Sequence, residues 1–324
     1  MLPVLRRVPR PVRWTALVVV VLLAATLGGL WYVADNRPSY AGMTLRLATG
    51  NPDGVYYPLG VGLRTVWDAQ LGVNVNVLKT SGSVANVGLL RTNGADVAIS
   101  AADAADTGYA SFPGLRALGR LYDDYVQVVV RADEPIAKFG DLRGHTVSMG
   151  APGSGVALIS QRLLAAAGMS PQDVVNNQSL GLDGAISALL RGRIDALVWS
   201  GGLPTPGLTT KAAEGKLRIL DLSDLIGPIQ AGNPNIYAKG EIPDSVYGMT
   251  GPPPTTLVVP DLLLVTDRLP DNVAQALLGA VFSGQAQLIQ ASQTARSIDV
   301  QQAIYTAPIP LHDGAVAYYR SAKF

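Results

Sequence analysis

The 324-residue chain has no cysteine. That absence removes disulfide staples, thiolate metal ligands, a thiol nucleophile and a lipid-modified cysteine anchor together. Histidine is nearly as scarce, with His145 opening an expected strand and His312 in a late "PIPLHDG" loop. Each reads better as a structural residue than as a general base, and two histidines make no transition-metal set. Charge is thin as well: Asp, Glu, Lys and Arg make up 15% of the chain. Five of the 25 bases and one of the 24 acids precede residue 44, so the remainder is slightly acidic and has no basic run. Nucleic acid is not the partner of such a surface.

Motifs for nucleophiles and nucleotides are missing too. Neither Ser154 nor Ser200 has glycine at both −2 and +2, as a nucleophile elbow requires. In "GAPGSGVA" Gly150 and Gly155 have phosphate-loop spacing, but Val156 and Ala157 stand where Lys and Ser or Thr are needed. Asp103 and Asp106, three apart, would serve better at a helix start or in a lining than as an acid pair. No enzyme and no cofactor or metal are expected.

What the chain does have is apolar sequence. Hydrophobic residues reach 48% and the mean hydropathy is +0.25. Residues 14–34, "WTALVVVVLLAATLGGLWYVA", carry no charge over 21 positions, enough helix to cross one hydrocarbon core. Arg6, Arg7, Arg10 and Arg13 precede the run, so the basic segment 1–13 is expected in the cytoplasm. The competing reading is a cleaved signal peptide, with Ser39-Tyr40-Ala41 as its small-residue cut site. Either way, after a short linker at 35–43, residues 42–324 are expected outside the cytoplasmic membrane, periplasmic or extracellular.

Beyond the linker, strand-like and helix-like segments alternate. "TLRLAT", "VNVNVLK" and "DVAIS" read as strands, and "VYYPLGVGLRTVWDAQ" and "SVANVGLLRTN" as the helices between them. "LRALGRLY" and "YVQVVVR" continue the strands, and a second run begins at "HTVSMG". This rhythm argues for an α/β protein with mainly parallel sheets and two lobes. Residues 221–256 read as loop-rich, 255–266 as a strand and 271–290 as one long helix.

Three places share one build, in which an apolar strand meets a Gly, Ser and Thr turn and then a helix. They are "ATGNPDGVYYPLG", "LKTSGSVANVGLL" and "SMGAPGSGVALIS". Such helix starts offer unpaired N–H groups and a partial positive charge to a ligand. The plainer reading is that Thr80, Ser83 and Ser154 only cap their own helices. Finding three copies across both expected lobes favours a shared cleft. "LVWSGGLPTPGL" is either a turn forced by Gly and Pro or a wall where backbone comes close to a ligand.

Taken together, "YYPLG", "TSGSVxN", "ADVAIS", "GAPGSG", "DALVWSGGLPTP" and "PIPLHDGAVAYYR" resemble the TAXI family, the substrate-binding proteins of tripartite ATP-independent periplasmic (TRAP) transporters. The resemblance runs from about residue 44 to the C-terminus. It implies a type II periplasmic-binding-protein fold, with lobe 1 at 44–130 plus 257–324, lobe 2 at 131–256 and a ligand cleft between them. It also implies a small carboxylate-bearing ligand and TRAP integral membrane permease subunits as partners. Carried onto this chain, the ligand-binding residues would be Gly54, Val55, Tyr56, Tyr57, Thr80, Ser81, Gly82, Ser83, Asn86 and Asp103 from lobe 1. Lobe 2 would add Ser154, Gly155, Trp199, Gly201, Gly202 and Pro204. The chain departs from the family at Thr49-Gly50-Asn51-Pro52-Asp53-Gly54, where a glycine-rich "TGGTGG" is usual, and at Ala101-Ala102, where Gln-Ser is usual. An acid at 53 repels an anion unless it is paired or turned away, and the loss of Gln and Ser removes donors and acceptors from the ligand wall, so the ligand is expected to be less polar, or differently charged, than glutamate-like or keto-acid cargo. The alternative in another class is a membrane-tethered sensor or scaffold that uses the same fold to signal to a partner protein.

Overall fold

The computed structural model describes residues 40–176, 180–248 and 251–322, with residues 19, 22, 25 and 26 of the N-terminal segment. The basic segment 1–13 and most of the expected anchor 14–34 and linker 35–43 lie outside the described residues. Among the described residues no helix is long and apolar enough to cross a membrane. Residues Ala41–Phe324 form one compact unit.

That unit begins with β1 (Thr44–Ala48), which buries Leu45, Leu47 and Ala48. A turn at 49–54 leads into α1 (Tyr56–Leu71), where Leu59, Leu63, Val66, Trp67 and Leu71 recur at helical spacing along one buried face. The helix stops at Gly72, held left-handed at φ 69° with its N–H on the Asp68 carbonyl. The pattern repeats through β2 (Asn74–Leu78), α2 (Ser83–Arg91), β3 (Val97–Ala101) and α3 (Ala102–Tyr109). The two strand-like pieces at 115–131 are one strand, β4 (Leu115–Arg131).

A second series follows: β5 (Thr146–Ser148), α4 (Gly155–Ala166), β6 (Val175–Asn176), α5 (Leu182–Leu190), β7 (Ala196–Gly201), α6 (Pro206–Ala213) and β8 (Leu217–Ile219). The stretch expected to be loop-rich holds α7 (Ser223–Gly232), β9 (Ala238–Glu241) and the one-turn α8 (Asp244–Tyr247). Then β10 (Thr255–Thr266) leads to α9 (Asp271–Ser283), α10 (Gln285–Ala291), α11 (Val300–Ala303) and α12 (Asp313–Ser321). The single long helix expected at 271–290 is broken at Gly284, where α1 packs so closely that a Cβ would lie 2.5 Å from Val66 Cγ1.

The sheet order is β2-β1-β3-β10-β4-β7-β5-β6, with β8 on β4 and β9 on β10. Strands β1, β2 and β3 are parallel, as are β5, β6 and β7. β4 and β10 run antiparallel to each other and to their other neighbours, and they belong to both halves. In β4, residues 115–125 pair with β10 and residues 125–130 with β7. In β10, residues 261–264 pair with β3 and residues 255–258 with β9. Both strands therefore change partners close to Asp124 and Asp261, and the register between them slips at Asp261/Leu262. The expected lobe boundary after residue 130 falls at the end of β4, a few residues past this exchange. One buried cluster, from Ala48 to Ile309, follows the shared strands through both halves. Another, with Leu182, Ile186, Leu197 and Tyr247, fills out the second half.

Candidate functional site

Where the strands exchange partners, a cavity of about 110 Å³ opens between the halves. A single water needs roughly 10–15 Å³ on this measure, so there is room for a small organic molecule. The first half contributes the 50–56 turn, Ser81, Gly82, Ser83, Ala101 and Asp103. The second half contributes Ser148, Gly150, Ala151, the start of α4, residues 180–182 and the end of β7. Asp124 and Val259 form part of the floor, and apolar side chains such as Val156, Ile159, Leu180 and Leu197 make the walls. Three carboxylates reach the lining, Asp53, Asp103 and Asp124; among the described residues no lysine, arginine or histidine does.

The helix starts converge as their strand–turn–helix builds imply. Val55, Gly82 and Gly181, at the caps of α1, α2 and α5, line the cavity without a side-chain cap bond. Ser154 does cap its helix: its hydroxyl accepts from the Ala157 N–H at 3.0 Å and donates to the Ala151 carbonyl at 2.7 Å. Ser154 is thus a cap and a lining residue at once. Gly82, at φ 123° and ψ −153°, adopts a conformation open only to glycine, and a Cβ there would lie 3.5 Å from Ser154 Cα, in ordinary contact with the start of α4. Across the same seam the Ala85 N–H donates to the Gly153 carbonyl at 2.9 Å.

Of the residues expected in the site, Gly54, Val55, Tyr56, Ser81, Gly82, Ser83, Asp103, Ser154, Gly155, Trp199 and Gly201 line the cavity. Five do not. Tyr57 turns outward and takes Lys79 Nζ 5.4 Å over its ring. Asn86 is fully buried and donates through Nδ2 to the Thr49 and Ile99 carbonyls at 2.5 and 2.7 Å. Thr80 lies 2.7 Å from Asn86 Oδ1 and accepts from the Gly82 N–H at 3.0 Å. Thr80 and Asn86 thus bolt the strand ends to α2. Gly202 packs on Thr294, where a Cβ would lie 2.4 Å from Cγ2, and Pro204 is exposed.

The floor is what the sequence reading missed. Register sets Val259 opposite Asp124 and Asp261 opposite Tyr122, so the four side chains share one face of the crossing strands. Tyr56 donates its hydroxyl to Asp261 Oδ1 and lies 3.0 Å from Ser83 Oγ, covering Asp261 from the cavity. Asp124 stays in the lining, and its Oδ2 is 3.4 Å from the Ser200 hydroxyl. Apart from contacts among themselves, Asp124 Oδ1, Asp261 Oδ2, the Tyr122 hydroxyl and Trp199 Nε1 are buried with no hydrogen-bond partner. Burial lifts the Asp124 carboxyl to about 7. Asp261 is pushed well above the carboxylate range by burial first and by the Asp124 charge second. One signal was available: an acid inside each of two otherwise apolar strands, "LYDDYVQVVV" and "LVVPDLLLVT".

Residues 47–322 match the NMT1-like family. The chain belongs to that family. This NMT1-like protein is similar to a solved protein from Bordetella bronchiseptica RB50, at 20% identity and TM-score 0.52, covering 86% of this chain and 81% of that one. It is also similar to a Xanthomonas citri protein solved with ATP, at 15% identity and TM-score 0.52, covering 86% and 95% of the two chains. A third likeness is to the periplasmic aliphatic sulphonate binding protein SsuA from Escherichia coli, at 16% identity and TM-score 0.47, covering 87% and 84%. The mixed sheet with two shared strands is the α/β periplasmic-binding-protein fold, and the two likenesses at 0.52 agree with it at the level of fold alone.

Proposed function

We propose that this NMT1-like protein is an extracytoplasmic solute receptor of the TAXI type. It would hold a small organic acid or amino acid between its lobes and pass it to the integral membrane subunits of a TRAP transporter. In this reading the N-terminal run tethers residues 42–324 to the outer face of the cytoplasmic membrane. One observation carries the proposal: the cavity lies where β4 and β10 change partners, with helix starts from both halves facing into it. Catalysis fits the same cavity poorly, because only one member of the floor carboxylate pair lines it and Tyr56 covers the other. The ligand is then carried and not consumed.

Thermal melting of the purified full-length chain in detergent, against amino acids, keto acids, dicarboxylates and neutral solutes, tests this. A true ligand at 100 times its Kd adds about 2.7 kcal/mol to stability and raises the Tm visibly. A ligand-free protein that responds to no solute would sink the receptor reading in favour of a sensor or scaffold.

A further inference from the structure

Asp124 points to the kind of solute. It is 4% exposed, it lines the cavity, and apart from the neighbouring Asp261 carboxyl its Oδ1 has no hydrogen-bond partner. A buried negative charge left without a cation is costly, and native proteins rarely keep one without a use. No cation of the protein answers it. Among the described residues none lines the cavity, Arg162 is engaged with Asp103 and Tyr237, and Arg120 is engaged with Asp123. The one donor within the floor is the Asp261 carboxyl, which burial keeps protonated and which shares its proton with Asp124, so the pair retains a negative charge that no cation among the described lining residues balances.

Resting on the receptor reading above, we infer that the solute carries a protonated amine on an apolar body, with the amine received by Asp124. An ammonium supplies three donors and a positive charge, and a positive charge is what the Asp124–Asp261 pair beside the Ser200 hydroxyl lacks. The walls agree, since Val156, Ile159, Leu180, Leu182 and Leu197 offer a side chain contact but no polar partner. A dicarboxylate would press a second negative charge onto these walls or against Asp53 and Asp124. An apolar α-amino acid fits throughout. Its amine meets Asp124, its side chain meets the walls, and its carboxylate meets the uncapped starts of α1, α2 and α5.

Proton exchange gives a readout that needs no variant. The groups facing Asp124 are Asp261 on β10, Tyr56 on α1, Tyr122 and Asp123 on β4, Ser200 on β7 and Asp103 on α3. With Asp124 held near 7, an amine that binds there expels a proton below neutrality, whereas an anion draws one in. Affinity for an amine should therefore rise about tenfold from pH 6 to pH 8.

The experiment is calorimetric titration of the full-length chain in buffers of differing ionisation heat. The probes are L-leucine, 4-methyl-2-oxopentanoate, which has the same body without the amine, and L-glutamate. Leucine is expected to bind at least tenfold more tightly than either and to release protons at pH 6. Asp124→Asn should cost leucine at least tenfold and leave the keto acid unaffected, with a urea melt confirming that the variant is folded. Keto acid binding as tightly as leucine, or proton uptake with leucine, overturns the amine, and glutamate binding as tightly as leucine overturns the apolar body; either leaves the receptor reading standing. If instead no solute of the wider panel shifts the Tm, both readings fall.

Discussion

Asp103 and Asp124 both line the cleft and are 2% and 4% exposed, yet the fold treats them in opposite ways. Asp103 accepts from the Tyr237 hydroxyl at 2.6 Å and the Ala104 N–H at 2.7 Å, with the Arg162 guanidinium at 3.7 Å. Arg162 in turn donates to the Tyr237 hydroxyl at 2.6 Å. These contacts run from α3 in the first half to α4 and the segment before β9 in the second. Asp124 has one long contact with Ser200 and otherwise only the Asp261 carboxyl, with no cation beside it among the described lining residues. Both carboxyls are raised by burial, so burial alone does not separate them. Their partners do. Asp103 holds the halves together, and Asp124 is left open for a visitor.

The comparison is sharpest in the pH dependence of the empty protein. Asp124 is raised when folded, so between about pH 4 and pH 7 the folded state binds more protons than the unfolded one, and stability falls as pH rises. The loss is complete above pH 7 and on the order of 4 kcal/mol as an upper value. Asp261 contributes with the same sign. Asp124→Asn should flatten the slope and make the empty protein more stable at pH 8 in urea unfolding. A variant less stable than the wild type there would break the contrast.

Asp103→Ala should act the other way, costing about 3 kcal/mol because Tyr237 and Arg162 lose a buried partner. Urea midpoints check this, and a loss below about 1 kcal/mol would mean that the clamp carries little. Ser154→Ala should cost about 1 kcal/mol, the usual worth of an N-cap, with ligand affinity nearly unchanged. A large loss of affinity with intact stability would return Ser154 to the ligand.

The strand–turn–helix units were legible because each is local. An apolar run, a Gly or Ser turn and a 3.6-residue period lie within about twenty positions of one another. The interior of 221–256 was harder to see, since its Gly and Pro content hid α7, β9 and α8. Side-chain direction at the site was not legible at all. Tyr56 and Tyr57 are neighbours, but the roughly 100° between successive helix positions sends the first to Asp261 and the second to Lys79. Ser83 and Asn86 share a helix, and only tertiary packing makes one a lining residue and the other a bolt. The floor escaped for a related reason. Asp124 and Asp261 sit far apart in the chain, and only the pairing of β4 with β10 brings them to one face.

That pairing also has a mechanical meaning. Among the described residues the backbone passes between the halves along β4 and β10, so a parting of the halves bends this two-stranded ribbon. A ribbon bends readily out of its plane and resists shear within it, which leaves a single easy axis. Asp124 lies on that fold line, while Asn51 and Gly181, facing each other at the rim, lie at the end of the lever. Displacement grows with distance from the axis. The floor would then keep its shape while the rim swings, and a solute would meet its deepest contact before the doors have moved.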